Sequence, residues 1–96
     1  MFVGALVVDL LLGDVHSLKH KRAVVRPLLA QLKKLDVSAA ETGHQDLHRR
    51  AELSVGVVAG DVAHVQRVLD AAERVVADDP EVQLLSAHTM IHSDDD

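Results

Sequence analysis

The stretch Phe2 to Leu12, FVGALVVDLLL, leaves a chain this short few architectures. Read as a strand, it carries Val3, Ala5, Val7, Asp9 and Leu11 on one side and Phe2, Gly4, Leu6, Val8, Leu10 and Leu12 on the other. A strand that is apolar on both sides belongs in the middle of a sheet, with other structure covering part of it. Asp9 marks the odd side as the more open one. The same run raises a signal-peptide question, but it lacks a basic leading region and Asp9 interrupts it, so a strand is the expectation. No run approaches the roughly 18 apolar residues of a membrane-crossing helix.

Taken in order, the remaining segments fit around that strand. Gly13 and Asp14 turn the chain, and Ser17 is a good cap for a helix over 18–35 whose buried stripe is Val25, Leu28, Leu29, Leu32 and Leu35. Pro27 removes one helical hydrogen bond, and the expected helix is kinked there, with His20, Pro27, Gln31 and Lys34 on its polar side. Residues 36–42 read as a short edge strand. Residues 51–59 alternate clearly, with Ala51, Leu53, Val55, Val57 and Ala59 facing the core. Asp61 caps a second helix over 62–77, which Asp78, Asp79 and Pro80 end. Residues 81–91 form the last strand, and the adjacent Leu84 and Leu85 call for a bulge. The order strand, helix, strand, strand, helix, strand is that of an α+β ferredoxin-like βαββαβ fold. Right-handed crossovers then give a four-stranded antiparallel sheet in the order 4-1-3-2 with both helices on one face. The expected organisation is one such domain over residues 1–92, followed by a short acidic tail over 93–96.

Such a core has little besides Val, Leu and Ala to work with. Hydrophobic residues make up 48% of the chain, yet Phe2 is its only aromatic among Phe, Trp and Tyr. There is no cysteine, which excludes disulfides and thiolate metal sites and fits a reducing, cytoplasmic setting. The net charge is −5, unevenly divided. Residues 1–50 hold eight Lys and Arg against five acids, or +3, whereas residues 51–96 hold two against ten, or −8. An acidic total opposes strong nonspecific binding to nucleic acid, but leaves room for a local basic patch.

The densest polar stretch is GHQDLHRRAE, residues 43–52, between two expected strands. The topology puts this loop at the same end of the sheet as the start of the first helix. His16, Ser17, Lys19, Lys21 and Arg22 then share an edge with His44, Gln45, Asp46, Arg49 and Arg50. Cations beside a helix N-terminus, with its free amides and favourable dipole, suit a phosphate or partner-binding site. The plainer reading is a solvated rim whose cations meet nearby acids and whose Asp46 bonds local amides. The alternation His44, Asp46, His48 also resembles a metal-ligand or acid–base pattern, but no nucleophile accompanies it and Ser17 is explained as a cap. No catalytic residue, metal or cofactor is assigned. Base stacking in the manner of an RNA-recognition motif is not the expectation, since that mode uses a set of sheet aromatics and Phe2 is the one aromatic here.

The segments HSLKHKRAVVRPLL (16–29) and AAETGHQDLHRRAELSVGVV (39–58) resemble the YlxP-like family of small bacterial proteins of unknown function. The resemblance covers nearly the whole chain and implies a ferredoxin-like fold. It also implies an association with genes for translation initiation and ribosome maturation, with no catalytic residues to carry over. His48 stands where many relatives carry Trp, which weakens a stacking role for the loop. The expectation is therefore a noncatalytic cytoplasmic binding protein whose partner is RNA or a ribosome-associated component. The open sheet face, with Val3, Ala5, Val7, Leu11 and Val58, is expected to bury itself in a homodimer, and no membrane is involved. The alternative is a small enzyme, or a metal- or ligand-binding domain, centred on His44 and Asp46.

Overall fold

Six elements follow one another in a computed structural model that describes residues 1–95: β1 (Phe2–Leu12), α1 (Leu18–Lys33), β2 (Ser38–Gly43), β3 (Arg50–Ala59), α2 (Val62–Ala77) and β4 (Val82–Ser93). The strands form one antiparallel sheet in the order β2-β3-β1-β4, the 4-1-3-2 order expected from the sequence. Asp96 lies outside the described residues. Among the described residues no helix is long and apolar enough to cross a membrane.

The strand alternation becomes a sidedness in the sheet. Leu6, Val8, Leu10 and Leu12 of β1, with Leu53 and Val55 of β3, are essentially inaccessible and meet Leu28 and Leu32 of α1 and Val65, Leu69 and Val76 of α2. The core is aliphatic throughout, and its closest approach is at Gly4. A Cβ there would come within 2.4 Å of Val65 Cγ1 and 3.0 Å of Leu69 Cδ1. Glycine is thus what lets α2 settle onto the central strand.

Boundaries moved by one or two residues for local reasons. Helix α1 continues through Pro27, which lies on its exposed side, and stops at Lys33 instead of 35; the backbone then reverses through Asp36 in the left-handed region at φ 62°. Strand β2 starts at Ser38 rather than 36. The expected bulge in β4 is present: Asp9 pairs with Ser86 and Leu10 with Leu84, so Leu85 is the extra residue. Beyond it β4 runs to Ser93, which is therefore part of the sheet and not of the tail.

Two substitutions test this packing from opposite directions. Leu53→Ala opens a cavity in a site with 0% exposure and should cost about 2–5 kcal/mol in chemical denaturation. Gly4→Ala overfills the α2 contact and should cost about 1–3 kcal/mol although it adds one methyl. A neutral Gly4→Ala would show that α2 is free to lift off β1.

Candidate functional site

Helix α1 begins where Ser17, extended at φ −154° and ψ 161°, accepts the His20 amide on its side-chain oxygen at 3.0 Å. One turn further, Lys21 lies on the inner face of the helix with Val24, Val25, Leu28 and Leu32, and is only 3% exposed. Its ammonium donates to the backbone carbonyls of His44 (2.7 Å) and Leu47 (2.8 Å). It also forms an ion pair with Glu41 Oε2 at 2.8 Å, without the angles of a directed hydrogen bond. Two of the ammonium's three N–H groups are thus spent on directed hydrogen bonds, and the Glu41 carboxylate supplies the opposite charge. This is the condition under which a buried cation becomes tolerable.

The loop between β2 and β3 is shaped by that contact. His44 is left-handed at φ 58°, a conformation that costs a non-glycine residue roughly 1–2 kcal/mol. Its carbonyl also receives the Leu47 amide at 3.0 Å, closing a turn over 44–47. Gln45 Nε2 reaches back to the Glu41 carbonyl at 3.2 Å.

The two signature segments do meet at one edge, but their residues divide into two groups. Of the expected cations, Lys21 is enclosed by the chain, Arg50 is paired with a carboxylate, and Arg49 stays exposed with its Nε engaged. Arg49 Nε donates to the carbonyls of Gly13 (2.9 Å) and Leu12 (3.3 Å), while the Leu12 amide donates to the Arg49 carbonyl at 2.8 Å. Arg50 bonds the Asp9 carboxylate through Nη2. His44 Nε2 lies 3.5 Å from the other Asp9 oxygen, so its charged neighbour is Asp9 of β1 and not Asp46. His16 pairs with Asp14 at 2.7 Å in full exposure. Asp46 and His48 are exposed, and among the described residues neither makes a hydrogen bond; the local amide bonds expected of Asp46 are not made. Among the described residues no three of His, Cys, Asp and Glu converge as metal ligands would.

Lys19 and Arg22 belong to the second group, which Arg26 and Lys33 extend along the same helix. Helix α1 contains no acid, and none occurs between Asp14 and Asp36. Its exposed cations Lys19, Arg22, Arg26 and Lys33 fall within about 60° of one another around the helix and span about 21 Å along it. Among the described residues none of the four has a carboxylate within ion-pair distance. Beside them a groove of about 330 Å³ between α1 and β2 has a floor of Leu18, Val25 and Leu29, with Arg22 and Arg26 on its rim. The spacing 19, 22, 26, 33 was readable in the sequence as a helical stripe.

Lys21→Met keeps the aliphatic stem but removes the ammonium from three oxygens. It should cost about 3–5 kcal/mol of stability and loosen amide protection over 44–47. A melting temperature equal to the parent's would mean that the clamp contributes little.

With this geometry in view, the comparisons with known proteins concern nearly the full length. A family profile described as "Protein of unknown function (DUF503)" matches residues 3–89. The chain is 27% identical over 82 residues to "Uncharacterized protein YlxP" of Bacillus subtilis (strain 168), covering 84% of this chain and 89% of that protein. Among solved structures, the de novo designed protein LFR1 1, which has a ferredoxin fold, superimposes with a TM-score of 0.58 at 12% identity, over 98% of this chain and 88% of the design. The designed protein Foldit4 superimposes at 0.56 with 9% identity, over 97% and 98%. These structural likenesses concern the fold alone. The match over residues 3–89 identifies the chain as a member of the DUF503 family of proteins of unknown function, with the Bacillus YlxP protein as a relative.

Proposed function

We propose that this protein is a noncatalytic cytoplasmic binding protein that meets a polyanion, an RNA strand or the RNA of a ribosome-associated particle, through the outer face of α1. The observation that carries this reading is the row Lys19, Arg22, Arg26 and Lys33, exposed and without an acidic partner among the described residues. In a chain with a net charge of −5, repulsion between the molecule and a polyanion disfavours contact everywhere else. The row directs approach to one side. With Phe2, the one aromatic among Phe, Trp and Tyr, packed against the core, recognition rests on backbone phosphates rather than on bases. His16, Ser17, His44, Gln45 and Asp46 sit at the end of the helix from which the row starts, where they would contact whatever lies beyond Lys19.

Fluorescence anisotropy with a labelled single-stranded RNA, followed across a salt series, tests this. Four phosphate contacts should give a slope of log affinity against log salt of about −3. Arg22→Ala combined with Arg26→Ala should weaken binding and make that slope shallower by about one for each lost contact, with an unchanged melting temperature. Arg49→Ala serves as the contrast, lowering the melting temperature through its lost carbonyl bonds while leaving the slope near the parent's. Equal binding by the parent and the Arg22, Arg26 double variant at every salt concentration would overturn the reading.

A further inference from the structure

The outer edge of β4 is uncovered. Six consecutive residues of this strand, Leu85 to Met90, are exposed, which requires both its faces to be uncovered over that stretch. Leu85 and Met90 are 43% and 37% exposed. Between Glu81 and Asp94 the strand has no Lys, Arg, Asp, Glu or Pro, the residues with which exposed sheet edges are normally blunted.

The direction of its backbone groups follows from two hydrogen bonds. The Asp94 amide donates to the Met1 carbonyl at 3.2 Å, and Phe2 is in register with Ser93. In an antiparallel pair, bonded and non-bonded residue pairs alternate. Ser86, His88, Met90 and His92 therefore bond to β1, and Ala87, Thr89 and Ile91 direct their N–H and C=O groups away from the sheet. The bond from the Leu12 amide to Arg49 agrees, since it commits the even residues of β1 to β3 and leaves the odd ones for β4.

We propose that this edge pairs antiparallel with the same edge of a second copy of the chain, about a twofold axis at Thr89, to give one continuous eight-stranded sheet. In that register Thr89 faces its own copy, Ala87 faces Ile91, and on the open side Met90 faces His88. Charge favours a second copy as the occupant. Asp94 and Asp95 fall opposite Leu84 and Gln83 of the other strand. Over residues 83–95 no like charges are opposed, although each molecule carries −5. The register uses the straight part of β4 after the bulge, where the ladder with β1 is unbroken from Ser86 to Ser93. The assembly expected on the sheet face is thereby assigned to the sheet edge.

Light scattering on the full chain at about 100 μM should give twice the monomer mass of 10.4 kDa, falling toward the monomer on dilution. Thr89→Pro removes an amide that the monomer does not use, so it should abolish the dimer and keep the parent's circular dichroism. Val7→Lys, on the open face, should leave the dimer intact. If Thr89→Pro fails to fold, hydrogen exchange in the parent decides: the Thr89 and Ile91 amides should be protected at high concentration and exchange rapidly at low concentration. A monomeric parent at 100 μM, a dimer that survives in folded Thr89→Pro, or fast exchange at Thr89 in a dimeric sample would each overturn the proposal.

Discussion

The ammonium of Lys21 joins three segments at one point: the first helix, the edge strand and the loop that follows it. It rises from the inner face of α1, meets Glu41 on the edge strand and receives two carbonyls from the loop that follows. Edge strand β2 is short, and its residues are at best half-buried, so apolar packing alone holds it weakly. Charge-assisted bonds in a site closed to water are correspondingly stronger than their surface counterparts. Lysine suits the position better than arginine would. Its compact head fits among three oxygens that surround a point, whereas a planar fork requires acceptors arranged in a plane.

The other cations of this edge also meet partners within the chain. Arg49 ties the start of β3 to the end of β1 through carbonyls, and Arg50 answers Asp9, the one charge on β1. Four of the exposed cations of the N-terminal half stand in one row on α1. Its position is a consequence of sequence: a helix with no acid cannot neutralise itself, and the acids of residues 51–96 belong to other elements. Charge segregation along the chain thus becomes charge segregation in space.

Much of the fold was readable because its core uses one chemical vocabulary at two spacings. The alternation in 2–12 and 51–59 and the stripes in 18–33 and 62–77 required no tertiary information. Even the bulge at Leu85 announced itself as a break in alternation. The site was less readable, and Lys21 shows why. A lysine is assigned to solvent by default, since burial normally costs more than any one contact returns. Yet Lys21 lies four residues before Val25 and seven before Leu28, on the buried stripe itself, so its position argued for the interior while its chemistry argued against it. Only the loop carbonyls, brought near by the fold, resolve the conflict. Arg49 was opaque for a similar reason, because its acceptors are backbone atoms of Leu12 and Gly13 that carry no sequence signal.

That Lys21 grips main-chain oxygens has a consequence for how such a protein can change over generations. The acceptors at His44 and Leu47 exist whatever side chains those residues bear. The exposed side chains at positions 45, 46 and 48 are therefore released from any duty to the fold beyond the Gln45 contact. Mutation can rewrite the surface of this loop while its path stays fixed, much as interchangeable tools share one handle. The residue to watch for constancy is the lysine underneath.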